Sequence, residues 1–165
     1  MSQATAVDGI AAAVSLRSEG RDEEARDLLL ELRSQHPDDA LINLQCAWVH
    51  DRLGLEKEAV PFYEKAIHLG LDGEHLRSAL LGLGSTLRAL GQYERAFETL
   101  SSGADQFPDD KAMQVFLALA MYNTGSAKEA CETLLRLLIA TTRDESIAAY
   151  QAALEIYAKD LDATW

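Results

Sequence analysis

The amino-acid sequence predicts an all-α fold: a right-handed α-solenoid of about four helix-turn-helix units, closed by a C-terminal capping helix. Apolar residues recur at helical spacing along nearly the whole chain, and strand-type alternation is absent over any useful length. Four glycines, Gly20, Gly54, Gly91 and Gly125, interrupt this pattern at intervals of 34, 37 and 34 residues. A regular period of this length indicates a repeat architecture, in which stacked hairpins bury one continuous core.

Two further markers share the same period. An alanine follows each glycine five residues later, and the strings Gln35-His-Pro-Asp-Asp and Gln106-Phe-Pro-Asp-Asp lie 71 residues apart, which is 34 plus 37. The glycine ends the first helix of a unit, the alanine lets the second helix approach closely, and the proline stops that second helix. We therefore predict a single domain, 1–165, with these approximate units: 6–39, 40–76, 77–110 and 111–141, then a C-terminal helix over 143–161.

The units differ in how well they keep the pattern. The first is degenerate, as expected of a terminal unit, and in the second Gly70-Leu-Asp-Gly73 replaces the final proline and lengthens the connection. The third is the best copy of the pattern, with these residues at the repeat positions: Leu80, Leu83, Gly84, Leu87, Gly91, Tyr93, Ala96, Leu100 and Pro108.

The segment after the fourth unit predicts one more helix. Thr142 and Glu145 have the spacing of a capping box. One apolar face at helical spacing follows: Ile147, Tyr150, Leu154, Tyr157 and Leu161. This helix either caps the exposed end of the fourth unit or is shared with a partner.

The positions of these residues resemble the tetratricopeptide repeat. From Gly54 to Leu161 the sequence is also similar to a family of compact, stand-alone bacterial tetratricopeptide proteins. This resemblance implies an interaction module without catalytic activity, which in that family is thought to form dimers.

Composition narrows the classes of partner. The chain has 27 acidic and 15 basic residues, a formal charge of -12, which repels nucleic acids and anionic membrane surfaces. We expect neither as a partner. Both cysteines, Cys46 and Cys131, fall in apolar runs and are expected to be buried thiols in a reducing cytoplasm. The sequence shows no signal peptide and no apolar run long enough for a membrane span.

Candidate sites for chemistry all have a simpler structural explanation. Cys46 and His50 share a helix face at zinc-ligand spacing but occupy core positions of the repeat, and no further ligands lie nearby. The segment Gly82-Leu-Gly84-Ser-Thr lacks the preceding strand and the lysine of a phosphate-binding loop, so its glycines are expected to permit close helix packing. We predict no catalytic residues, no metal site and no cofactor.

Binding is expected at the concave face, which the first helix of each unit lines. The residues predicted to face this groove are Val7, Ile10, Val14, Arg17, Leu41, Leu44, Trp48, Asp51, Arg52, Ser78, Leu81, Ser85, Arg88, Ala112, Val115, Leu119 and Tyr122. An apolar strip flanked by aromatic and guanidinium groups suits a peptide or helix laid in the groove. The alternative is that the chain packs its own terminal helix there.

Co-chaperone members of the superfamily hold a carboxylate with Lys and Asn at groove positions. Here those positions are Ile10, Val14, Leu44 and Trp48, so that mode of recognition is not expected.

Two functions remain open from the sequence. The first is an interaction scaffold that binds a protein or peptide and self-associates as a homodimer through an end of the array, where the first helix and a set of C-terminal residues are apolar. That set is Tyr150, Leu154, Tyr157, Leu161 and Trp165. The alternative is a dedicated cytosolic chaperone for an exported or membrane-active client.

Overall fold

The computed structural model describes residues 3–164, with side chains from Ala6 onwards. This part of the chain contains ten α-helices and no strand. In chain order they are α1 (Gln3–Ser18), α2 (Asp22–Gln35), α3 (Ala40–Arg52), α4 (Glu56–His68), α5 (Gly73–Ala89), α6 (Tyr93–Gln106), α7 (Lys111–Asn123), α8 (Ala127–Thr141), α9 (Glu145–Ala148) and α10 (Gln151–Tyr157). No helix among the described residues is long and apolar enough to cross a membrane. Trp165, included above in the C-terminal apolar set, lies outside the described residues.

The four predicted glycine turns are confirmed. Gly20, Gly54, Gly91 and Gly125 have φ angles of 76°, 69°, 75° and 93°, a region that other residues enter only with strain. After each glycine, the next amide donates a 2.9 Å hydrogen bond to the carbonyl five residues earlier, as Arg21 does to Leu16. This bond satisfies an orphan carbonyl at the end of the first helix and turns the chain into the second.

Aspartates cap the N-termini of α3 and α7, each of which is the first helix of its repeat unit. Asp39 accepts a 2.9 Å hydrogen bond from the amide of Ile42 at the start of α3, and Asp110 accepts one of 3.0 Å from Met113 at the start of α7. Each of these two caps is the last residue of a Pro-Asp-Asp string, and aspartate is a favoured residue at this position of a helix.

The helices form two compact units, Met1–Gln92 with α1 to α5 and Tyr93–Trp165 with α6 to α10. In the first, α3 packs against α1, α2, α4 and α5 and is buried along almost all of its length. Its core includes Leu29, Ile42 and Val49, all without solvent exposure. In the second, α7 packs between α6 and α8 around the fully buried Leu100 and Met113.

The C-terminal segment differs from the single helix predicted for 143–161. It forms two short helices separated at Ala149 and Tyr150, and the N-terminal cap is Asp144, which accepts from the amides of Ser146 and Ile147. Thr142 does not cap this helix; its hydroxyl accepts a 3.2 Å bond from the Asp144 amide instead.

The predicted apolar stripe of this segment is only partly covered. Tyr150 is 68% exposed, and Tyr157 and Leu161 are exposed as well, whereas Ile147 and Leu154 are half-buried. Ala158 is buried, and its carbonyl accepts a 2.8 Å hydrogen bond from Arg136 of α8. A small side chain at this contact lets the end of α10 approach α8 closely.

Candidate functional site

An open cavity of about 490 Å³ lies in the first compact unit. Its lining comes from α1 (Val14, Arg17 and Ser18), α3 (Trp48, Asp51 and Arg52) and α4 (Tyr63). The structure therefore brings together Trp48, Asp51 and Arg52 of the predicted groove with two neighbouring groove positions of α1. A cavity of this volume is in the usual range of ligand pockets.

Arg17 and Trp48 are neighbours in the lining of this cavity, and both are half-buried. The guanidinium carbon of Arg17 lies 5.6 Å from the centre of the Trp48 indole, within the range of a cation-π contact. Burial, and then the positive charge of Arg52, lower the pKa of Arg17 below its ordinary value. Among the described residues, its guanidinium has no hydrogen-bond acceptor and no ion-pair partner.

Arg52 is paired within the chain. Its guanidinium donates to both carboxylate oxygens of Asp22, at 2.8 Å and 3.2 Å. These hydrogen bonds lower the pKa of Asp22 and connect the start of α2 to the end of α3. The charge of Arg52 is therefore already compensated at the rim of the cavity.

Asp51 is also occupied within the chain. Its carboxylate accepts a 2.7 Å hydrogen bond from the hydroxyl of Tyr63, and the hydroxyl of Thr86 lies 2.9 Å and 3.0 Å from its two oxygens. Burial raises the pKa of Asp51 above its ordinary value, while the bonds from Tyr63 and Thr86 act in the opposite direction. Asp51 thus joins α3 to α4 and α5 beneath the cavity.

Two residues of the cavity, Ser18 and Tyr63, were not among those predicted. Tyr63 belongs to the second helix of its repeat and is almost completely buried, so the pattern indicates a core residue rather than a site residue. Its hydroxyl donates a hydrogen bond to Asp51, which is one of the predicted groove residues.

The remaining predicted groove residues do not line this cavity. Leu44 is fully buried and was wrongly placed in the groove, because α3 has neighbouring helices on several sides. In the first unit, Leu41 is exposed, and Leu81 and Arg88 are half-buried on α5. In the second, α7 carries an exposed Val115, a half-buried Leu119 and Tyr122, which is 67% exposed.

Cys46 and His50 are both buried in the packed core of the first compact unit. Cys46 is fully buried, and burial raises the pKa of its thiol to about 12. Nδ1 of His50 donates a 2.7 Å hydrogen bond to the carbonyl of Cys46, and its ring lies 4.8 Å from that of Phe62. No group of three or more His, Cys, Asp and Glu residues suited to a metal occurs in the described part of the chain. Cys131 was expected to be buried but is exposed on α8.

Three solved structures share this fold at low sequence identity. The chain matches YrrB, titled a tetratricopeptide protein with an unusual peptide-binding site, with a TM-score of 0.74 at 20% identity, over 95% of this chain and 79% of that one. It matches MamA (residues 41 to the end) from Desulfovibrio magneticus RS-1 with a TM-score of 0.75 at 19% identity, over 94% and 86%. For PilF of Pseudomonas aeruginosa the TM-score is 0.69 at 20% identity, over 94% and 69%.

Two family models match the sequence and together span residues 11–161. A search of curated proteins gave no match. A model described as tetratrico peptide repeat matches residues 40–161, and a second, described as tetratricopeptide repeat, matches residues 11–39. The first alone spans well over half of the chain and includes the second, third and fourth glycine turns. The protein belongs to the tetratricopeptide repeat family.

Proposed function

We propose that this protein is a non-catalytic interaction module that binds a peptide or helix of a partner protein at the cavity lined by Arg17 and Trp48. The observation that carries the proposal is the pairing, in the lining of the cavity, of the half-buried Trp48 indole with the Arg17 guanidinium, which has no hydrogen-bond acceptor and no ion-pair partner among the described residues. Aromatic and arginine side chains are the residue types most often found as binding anchors.

The surroundings of the cavity support a binding role over a catalytic one. The carboxylate of Asp51 accepts hydrogen bonds from Tyr63 and Thr86, which leaves it poorly placed to act as a general base. The thiol of Cys46 is fully buried and has a raised pKa, the opposite of an activated nucleophile.

We further propose that the chain self-associates through apolar residues of the second compact unit. The residues that support this are Leu134 and Leu138 on α8 and Ile156 and Tyr157 on α10, all of which are exposed.

Site-specific photo-crosslinking in cells tests the binding proposal. A photoreactive amino acid at Val14, which lines the cavity, is expected to capture defined partner chains, and Trp48→Ala in the same chain should remove them. Leu30 is similarly exposed on α2 but does not line the cavity, so it provides the matched control. Crosslinked products that are the same from Val14 and from Leu30, or that persist in the Trp48→Ala chain, would argue against binding at this site.

A further inference from the structure

We propose that the cavity recognises a carboxylate: an anionic group of a partner peptide binds the guanidinium of Arg17, while an adjacent apolar side chain of the same peptide packs on Trp48 and Val14. This inference rests on the proposed function and specifies the chemistry of the ligand. The carboxylate is either an Asp or Glu side chain or the C-terminus of the peptide.

The charges of the cavity lead to this assignment. Three charged residues line it, and two of them are satisfied within the chain: Arg52 by Asp22, and Asp51 by the hydroxyls of Tyr63 and Thr86. Arg17 alone of these three has neither a hydrogen-bond acceptor nor an ion-pair partner among the described residues. A partly buried cation without a partner is costly, and an incoming anion would remove that cost.

The position of Arg17 beside Trp48 suits this role. Its guanidinium carbon lies 5.6 Å from the centre of the ring, and the N–H donors of a guanidinium all lie in its own plane. Two of them can donate in parallel to the two oxygens of one carboxylate. Contact with Trp48 also limits the motion of the Arg17 side chain before a ligand arrives, so less conformational entropy is lost on binding.

The electrostatic environment favours a single carboxylate over a polyanion. Burial and the nearby Arg52 lower the pKa of Arg17 by more than the charge of Asp22, which is bonded to Arg52, raises it, so one further negative charge at the guanidinium would be locally stabilised. The chain as a whole carries a charge of -12, which repels a strongly acidic segment at longer range. The expected ligand therefore has one carboxylate next to apolar residues.

This arrangement differs from the lysine and asparagine grip of the co-chaperones. The positions of that grip are here Ile10, Val14, Leu44 and Trp48, and Leu44 is fully buried. The cation comes instead from Arg17, near the end of α1, and the aromatic surface comes from α3.

Two phage-displayed libraries of random dodecapeptides test the inference, one with internal peptides and one with free C-termini. Selection on the full chain is followed by synthesis of the enriched peptides and of matched versions with Glu→Gln, Asp→Asn or a C-terminal amide. In each matched pair, the peptide whose carboxylate is replaced by an amide is expected to bind the wild-type protein at least about tenfold more weakly than the acid. This factor corresponds to ~1.4 kcal/mol. Whichever library supplies the sensitive peptides identifies the source of the carboxylate.

Variants of the protein place the effect at Arg17. Arg17→Gln should bind the acid and the amide peptides equally, and Arg17→Lys should retain part of the preference because it keeps the charge but not the paired donors. Arg26→Gln removes the same charge from α2, outside the cavity, and should behave as wild type. Circular dichroism checks that each variant is folded, and if Arg17→Gln does not fold, Arg17→Lys still tests the loss of preference.

The outcomes separate this inference from the proposed function. Selected peptides that bind the wild type as well in amide form, or an Arg17→Gln variant that keeps the preference for the acid, would overturn the carboxylate site while leaving an interaction module. If neither library yields a peptide that depends on Trp48, the proposed binding site is also overturned.

Discussion

The hydroxyl of Tyr63 on α4 donates a 2.7 Å hydrogen bond to Oδ2 of Asp51 on α3. Tyr63 is almost completely buried and Asp51 is half-buried, and both line the cavity, so this bond connects the core of the first compact unit to its candidate site. Thr86 of α5 contacts the same carboxylate. One carboxylate therefore connects α3, α4 and α5 next to the cavity.

Tyr63→Phe should destabilise the protein by about 1–3 kcal/mol, because it removes a donor to a partly buried carboxylate without changing the packing of the ring. Urea denaturation at pH 7 measures the change. Tyr93→Phe, at an exposed tyrosine of α6, is the control and should have little effect. Equal stability of the two variants would mean that the Tyr63 bond contributes nothing.

The same bond predicts the direction of a pH effect. The pKa of Asp51 is raised in the folded protein above its ordinary value of 3.8. The stability that this shift contributes is therefore fully present when the pH is below 3.8, and it is lost as the pH rises through the pKa that Asp51 has in the folded protein. Carboxyl ¹³C NMR should give a midpoint for Asp51 above 3.8, and a still higher one in Tyr63→Phe, where an opposing hydrogen bond is missing. A lower midpoint in the variant would contradict this account.

Gly82→Ala should destabilise the first compact unit, residues 1–92, even though alanine is a better helix former than glycine. A Cβ at this position of α5 would lie 2.6 Å from Cζ and 2.8 Å from Cε1 of Tyr63, whose ring is almost completely buried and whose hydroxyl is bonded to Asp51. Overpacking of this kind costs about 1–3 kcal/mol, more than the ~1 kcal/mol gained in helix propensity. Thermal unfolding compares it with Gly103→Ala, where the nearest atoms belong to the adaptable side chain of Met113 and the loss should be smaller.

The fold was largely predictable because its markers act locally. A glycine with φ between 69° and 93° at each of the four turns follows from backbone sterics alone, and the 34-residue period makes these glycines visible in the sequence. The C-terminal segment was not predicted correctly because neither Gly nor Pro marks the break at Ala149 and Tyr150. Which side of α10 is buried depends on its contact with α8 through Ala158, which helical periodicity does not specify.

The candidate site was only partly predictable, for a related reason. Helical spacing groups Trp48 with Arg52 and Asp51 on one face of α3, and all three line the cavity. The same spacing included Leu44, which is buried by helices from elsewhere in the sequence. Tyr63 and Thr86 join Asp51 through side-chain hydrogen bonds between helices, and no single-helix pattern contains that information.

The two cysteines should differ sharply in reactivity. Cys131 is exposed on α8 and should react with a maleimide in the native protein, whereas Cys46 is fully buried and its thiol has a pKa of about 12. Mass spectrometry is expected to show one label on the native wild type, none on native Cys131→Ser and two on the denatured wild type. Rapid labelling of Cys46 in native Cys131→Ser would mean that the core around α3 opens readily.

Trp48→Ala should weaken partner binding without unfolding the protein. The indole is only partly buried, so the loss of stability should stay below the ~3–5 kcal/mol typical of a fully buried tryptophan. Far-UV circular dichroism and urea denaturation measure the fold, and crosslinking from Val14 measures binding. Loss of the helical signal would place Trp48 in the core and remove it from the site.

Exposed apolar residues lie on α8 and α10 of the second compact unit, and we expect a two-fold dimer through these helices. Leu134 and Leu138 lie four residues apart on one face of α8 and are both exposed, as are Ile156 and Tyr157 on α10. A stable interface buries about 800 Å² per partner, so residues beyond these four must take part. The charge of -12 opposes association, but screening at physiological salt limits charge repulsion between copies to about 8 Å.

Light scattering in the presence of a reductant, which prevents disulfides through the exposed Cys131, should give twice the chain mass of 18.1 kDa at high protein concentration. Leu138→Glu should return the protein to the single-chain mass, because a two-fold interface would bring the two new carboxylates close together in an apolar environment. Val7→Glu adds the same charge at an exposed apolar residue of the first unit and should leave the dimer intact. A wild-type mass of 18.1 kDa at every concentration would reject the dimer, and dissociation by Val7→Glu alone would move the interface to the first unit.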